Sequence, residues 1–347
     1  MPIISYSNRD TKVGICLQAT WGTIIADAAA FGGTTGAELD CESFVIDRDL
    51  KRYEGLGSHA TRVTESADVV FNQYESTPKC TIKGLALNGY LSLLLYGFFQ
   101  NVVEGATTPY SKAFTFHATQ PDFSVNAGAY FTIVNRAPNA SASEKIKDAV
   151  IQSLELSIEP GGQLMYSASF VGRGGVVTTG NPSGTWTRFP KVTSGVANYW
   201  PYANQIRHTC NFGSGATSLV LTGGWTLSLT QDVIPVGQNG TGDIQTFALT
   251  NKRGKFTGKL LWDANSASAI ANLVTGTVST FNIGWGSSTP GTANRDLDLT
   301  FQGKFAKVDR DNADIFGVDF DFDIMGTIVT PTTAITVTHA DATDRNW

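Results

Sequence analysis

Over Ile151–Gly174 apolar and polar residues take turns. Leu154, Leu156 and Ile158 alternate with Glu155, Ser157 and Glu159; Pro160-Gly161-Gly162 interrupts; Leu164, Tyr166, Ala168 and Phe170 resume the alternation. A period of two on both sides of a tight turn predicts a β-hairpin with one buried face. The same rhythm predicts strands at the start of "CESFVIDRDLKRYEG", around Val69–Phe71, and over "KCTIKGLALN", "SKAFTFHATQ" and "AGAYFTIVNR". The stretch to Gly36 shows no clear period. "GYLSLLLYGFFQNV" is apolar nearly all round, which predicts a packed helix, with Asn88 as its N-cap.

The second half repeats this grammar. "TSLVLTGGWTLSLTQDVIPV" reads as strand–turn–strand, and "GKFTGKLLWD" as a strand with Phe256, Leu260 and Trp262 on one face. Asp263 caps a helix over "ANSASAIANLVT", and Gly276 stands at its end. Strands follow in "VSTFNIGW", "DLDLTFQGKFAKV" and "ADIFGVDFDFDIMG". Setting Asn88 against Asp263 aligns two strand-then-helix units, each closed by a hairpin. The expectation is a mainly β chain of two sandwich-like domains with one packed helix each. They span residues 1–175, including an N-terminal arm, and 216–327. A connection rich in Gly, Pro, Ser and Thr occupies 176–215 with its aromatics docked on protein, and a C-terminal arm occupies 328–347.

Composition sharpens this picture. The chain has 347 residues, long for one core. Charged residues are 16% against the ~25% of ordinary domains. Low charge fits a surface that other subunits cover. The net charge of −5 argues against a general nucleic-acid binder. Cys16, Cys41, Cys80 and Cys210 are widely spaced and read as free buried thiols. No leader pattern is visible, and Leu87–Val103 is too short and interrupted to span a bilayer. A soluble chain without membrane insertion is expected.

Catalytic and metal patterns are weak. No G-x-S-x-G, H-E-x-x-H or P-loop occurs, and His59, His117, His208 and His339 stand apart. "DRDNAD" (Asp309–Asp314) lacks the glycine and the final glutamate of a calcium loop and reads as a polar turn. Neither enzyme activity, cofactor nor metal is expected. Tryptophans at 21, 186, 200, 225, 262 and 285 raise a sugar-binding alternative, with Trp186 or Trp200 as the stacking ring; the competing reading puts Trp225 and Trp262 in the core. In "FGVDFDFDIMG", Phe316, Val318, Phe320, Phe322 and Ile324 point one way, and Asp319, Asp321 and Asp323 the other. Three carboxylates ~7 Å apart along a strand repel, so they must be solvated or paired; a glycosidase pair is a further alternative.

The chain resembles the major tail tube proteins of long-tailed bacteriophages. "LQATWGT" (Leu17–Thr23) resembles a short Gln/Glu-x-(Thr/Ser)-aromatic-Gly-Thr stretch near their start. "DAVIQSLELSIEPGGQLMYSASFVGRG" (Asp148–Gly174) resembles their strand–turn–strand with a Gly-rich exit, and the tandem units resemble the double-domain variety. The likeness covers most of 12–327. It implies two tail-tube-like domains that contribute strands to a multi-subunit β-barrel. The rings would hold three subunits with pseudo-sixfold symmetry and stack helically into a hollow tube, a virion part made in the host cytoplasm. Implied partners are further copies, other tail proteins (terminator, tape measure, baseplate or tip) and phage DNA in transient, non-specific passage during ejection. Another tube-like virion ring, or a carbohydrate-binding β-sandwich of a virion or secreted surface, is the alternative. A wall that lets DNA slide must not be basic, so Asp319, Asp321 and Asp323 are expected to line the lumen.

Overall fold

The computed structural model describes residues 12–25, 31, 35–48, 50–56, 69–75, 77–137, 143–177, 186–213, 215–238, 244–286, 295–311, 317–325 and 335–341. It is mainly β and antiparallel. The first half contributes β1 (Lys12–Leu17), β2 (Gly36–Glu38), β3 (Ser43–Asp47), β4 (Leu50–Leu56), β5 (Val69–Glu75), β6 (Lys79–Leu85), helix α1 (Asn88–Phe99), β7 (Val102–Glu104), β8 (Tyr110–Thr115), β9 (Phe131–Arg136), β10 (Glu144–Ile158) and β11 (Met165–Val171). Two short strands, β12 (Val192–Thr193) and β13 (Val196–Ala197), lie between the halves. Then come β14 (Arg207–Asn211), β15 (Ala216–Ser218), β16 (Leu221–Gln238), β17 (Ile244–Leu261), α2 (Ala264–Thr275), β18 (Ser279–Trp285), β19 (Asp296–Asp311), β20 (Gly317–Ile324) and β21 (Ile335–Asp341).

The ladders of the first half recur in the second. β2 pairs with β1, β1 with β9, and β9 with the start of β10; likewise β15 pairs with β14, β14 with β18, and β18 with the start of β19. β3 pairs with β6, β6 with β11 and β11 with β10, as β16 pairs with β17, β17 with β20 and β20 with β19. One helix sits at the same point of each series. The β10–β16 ladder, Ser153↔Thr230 to Ile158↔Trp225, joins the two series into a single eight-strand run: β3, β6, β11, β10, β16, β17, β20, β19. β21 also joins them, lying between β19 and β8.

The alternation expected over Ile151–Gly174 is present. Leu154, Leu156 and Ile158 on β10, and Tyr166, Ala168 and Phe170 on β11, are buried, and Gly161 turns the chain at φ 76°. Their face packs with Phe256, Phe281, Phe301, Phe320 and Phe322 in one hydrophobic core that runs through both halves. Phe281 is the centre of the second half's ring cluster, 4.8 Å from Phe322 and 5.2 Å from Phe256. α1 is buried on nearly every side, and Gly97 lets it press on the sheet: a Cβ there would come within 2.5 Å of the Phe131 ring.

Two expectations need correction, and the stretch without a clear period gains a strand. Asn88 does not cap α1. Leu87 stands at the cap position without a side-chain bond, and Asn88 is the buried first residue of the helix. The apolar first turn is held by tertiary contact instead, with the Asn88 N–H donating to the Asn198 carbonyl at 2.8 Å. Trp262 is not core; it is 40% exposed, whereas Trp225 is buried. The stretch before Gly36 holds β1, whose Val13, Ile15 and Cys16 are buried. By contrast Asp263 caps α2 as expected, in a reciprocal box with Ser266, and Gly276 ends it at φ 65°.

Candidate functional surface

The eight-strand run has one buried and one solvent-facing side. Register places the polar residues of all eight strands on the same side. Ser167 and Ser169 of β11 lie beside Glu155 and Ser153 of β10; these lie beside Ser228 and Thr230 of β16, and these beside Lys255 and Arg253 of β17. Across β11, Ser167 faces Lys83 of β6, which faces Ser43 of β3. The side is concave where β10, β16, β17 and β20 meet, with a depression of about 660 Å³ bordered by Glu155, Thr226, Lys259 and Asp321.

Asp319, Asp321 and Asp323 all lie on this side, on β20. They are not a bare acidic strip. Asp323 is level with Lys255 and Lys304, Asp321 with Lys307, and Asp319 with Lys259 and Asp309. Lys255 donates to Asp321 at 2.8 Å and Lys307 to Asp309 at 2.7 Å. The hydrogen bond and charge of Asp309 hold the Lys307 ammonium above its ordinary value. Four carboxylates and four ammonium groups thus interleave over three strands. Repulsion along the strand is relieved by cations on its neighbours, an outcome that period-two reading of one strand cannot show.

Two buried polar joints hold the strands that carry this surface. At the first, β10 turns through a bulge, and Asp148 adopts φ 51°, a left-handed conformation that Asp tolerates better than bulky residues. Its N–H donates to Gln18 Oε1 at 2.7 Å. Its carboxylate accepts from Gln18 Nε2 at 2.9 Å, the Gly22 N–H at 2.8 Å and Arg173 Nη1 at 3.2 Å. The Arg173 guanidinium lies 5.5 Å from the Trp21 ring, which stacks on Phe123 and meets Phe247 of β17 edge-on. Gln18, Trp21 and Gly22 come from "LQATWGT", and Asp148 and Arg173 from the two ends of Asp148–Gly174. The structure therefore brings both quoted stretches to one point. No spacing rule pairs Gln18 with Asp148, and Asp148 follows Lys145 and Lys147 in β10, so the local pattern does not mark it for burial.

At the second joint Arg207 is buried. Its Nη2 donates to Asp296 Oδ1 at 2.7 Å and to the Trp285 carbonyl at 2.9 Å, and its Nε to Asp298 Oδ1 at 2.8 Å. Asn282 and Thr300 also donate to Asp298. Sequence reasoning missed this cluster, because Arg207 and its carboxylates are separated by most of the second half.

Other candidates are placed as follows. Trp186 and Trp200 are buried, and the Trp200 Nε1 donates to the Arg295 carbonyl at 3.0 Å, so neither presents a ring face to solvent. Cys16, Cys80 and Cys210 are buried and Cys41 is half-buried; burial pushes the Cys41 thiol up to about 11. Among the described residues, no three His, Cys, Asp or Glu side chains gather as a metal ion needs, and no helix is long and apolar enough to cross a membrane. His59, Phe316 and Asn312–Asp314 lie outside the described residues. Compared with models of protein families and with curated proteins, the sequence matches none.

Proposed function

We propose that this chain is a structural subunit that assembles with copies of itself into stacked rings forming a hollow tube, a phage tail tube through which DNA is ejected. The carrying observation is the eight-strand run with one apolar side and one polar, charge-interleaved side. Its outer strands support the reading. Among the described residues, β3 has a ladder on one side only, to β6, and Phe305–Asp311 of β19 has one only, to β20. Unpaired strand borders are a hazard in a lone molecule. Joining the β19 border of one copy to the β3 border of the next removes both, and three copies supply about 24 strands, enough to leave an open channel. The resemblance in "LQATWGT" and Asp148–Gly174 supports the same reading, since those stretches form the joint that shapes β10.

The polar side then faces the channel, with Asp319, Asp321 and Asp323 on its wall. The lysines of β17 and β19 that flank β20 have carboxylates beside them, so DNA phosphates gain little by replacing those partners, and the duplex slides. The alternative in which Trp186 or Trp200 stacks on sugar has no exposed ring to support it.

Electron microscopy of purified chain tests the reading, with tubes of uniform bore and three chains per ring expected. A monomer at all concentrations overturns it. Replacing Asp319, Asp321 and Asp323 together with Lys should preserve tubes but slow DNA ejection more than tenfold. Unchanged ejection by tubes carrying that triple variant removes the three residues from the wall.

A further inference from the structure

The outer half of the β16–β17 hairpin runs past the sheet and lies over the first half, at the C-terminal end of α1. Gln231 Nε2 donates to the Ile151 carbonyl at 2.7 Å, and Lys252 Nζ donates to the His117 carbonyl at 3.3 Å. Ile244, Phe247 and Leu249 are buried against Phe123, Tyr130 and Val150. Under this cover Phe98 of α1 is fully buried, and so is Val171 at the end of β11.

The matching place in the second half is bare. Both helices end on a left-handed residue, Gln100 at φ 60° and Gly276 at φ 65°. Two residues before these ends stand Phe98 and Val274; two residues after stand Val102 and Val278. Val274 is 80% exposed and Val278 47%. Met325, which follows β20 as Gly172 follows β11, is 41% exposed, whereas Gly172 is buried. An apolar patch at a helix end, whose counterpart is covered, calls for an equivalent cover.

The first half holds an equivalent hairpin. β4 and β5 continue β3 and β6 outward, as the outer halves of β16 and β17 continue the inner ones, and they pair with each other as a separate two-stranded sheet. Their sequences bring Tyr53, Leu56, Val69, Val70, Phe71 and Tyr74. Within the chain, the β10–β16 ladder is what sets the second half's hairpin over the first half's helix. A β19–β3 ladder between copies is the same junction, one step further round. We infer that the β4–β5 hairpin of one copy docks on the C-terminal end of α2 of its neighbour, over Val274, Val278 and Met325. The inference rests on the ring reading above and names the second contact, besides the strand border, that closes the ring.

The test uses the full chain. Val274→Asp with Val278→Asp should raise the concentration for half-assembly at least tenfold, while the melting temperature of the monomer is unchanged because both side chains are exposed. In parallel, Val274→Cys is combined with Val70→Cys, or with Phe71→Cys so that both faces of β5 are sampled. One of the two pairs should give disulfide-linked oligomers on a denaturing gel, with neither single variant doing so. Assembly unaffected by the Asp changes, or Asp-sensitive assembly in which neither cysteine pair links, overturns the docking while leaving the rings standing. A wild-type chain that never assembles overturns the ring reading and this contact together.

Discussion

At the first joint the buried centre is a carboxylate, Asp148, served by an amide, a backbone N–H and one guanidinium. At the second it is a guanidinium, Arg207, served by two carboxylates and two carbonyls. Asp148 lies near the start of β10 and Arg207 beside the start of β19, so repeated ladders do not demand repeated chemistry. The two joints share a requirement instead. Each buried polar group must find partners, because an unpartnered one costs more than a paired one gains. The joints also differ in what covers them. A ring cluster that includes Phe247 of the second half closes over Asp148, whereas Arg207 is enclosed by residues of its own half.

This difference can be broken in order of expected effect. Arg207→Ala leaves Asp296 and Asp298 buried without their shared cation, and should cost roughly 3–5 kcal/mol in urea unfolding; a loss under 1 kcal/mol shows that the second joint is not structural. Asp148→Asn keeps the shape and one acceptor oxygen but removes the charge facing Arg173. A loss of about 2 kcal/mol is expected, and a loss matching that of Arg207→Ala means the two joints are equivalent after all. The smallest effect is a pH dependence at the first joint's cover. Burial, and then the charge of Lys252, hold His117 down to about 4, below its ordinary 6.5. The unfolded chain therefore takes up this proton first as pH falls. The His117 contribution is complete above pH ~6.5 and is lost between ~6.5 and ~4. His117→Asn should flatten the stability profile in that window, and an identical profile excludes His117 as its source.

Much of the fold was legible because local pattern and tertiary role agree. The β10–β11 hairpin, β18, β19, β20 and the Asp263–Gly276 helix each carry a clean period or a cap whose chemistry acts within a few residues. What was illegible depends on distance. β1 is short and lies among Ala, Gly and Thr, and its burial comes from β2 and β9 rather than from its own alternation. Asn88 is a good cap by type, yet the chain places Leu87 there because Asn198, far along the sequence, supplies the bond. Asp319, Asp321 and Asp323 were readable as one face, but their lysines on β17 and β19 were not, since cross-strand partners depend on register. The joints lie furthest from reach: Gln18 and Asp148 are separated by 130 residues.

The position of β21 has a consequence for synthesis. Ile335–Asp341 pairs with Tyr110–Thr115 on one side and with β19 on the other. A ribosome adding about 5–20 residues per second delivers this partner roughly 10–40 s after β8 has left the exit tunnel. Until then that flank of β8 stays open, and the nascent first half must wait for the far end of its own message to be read.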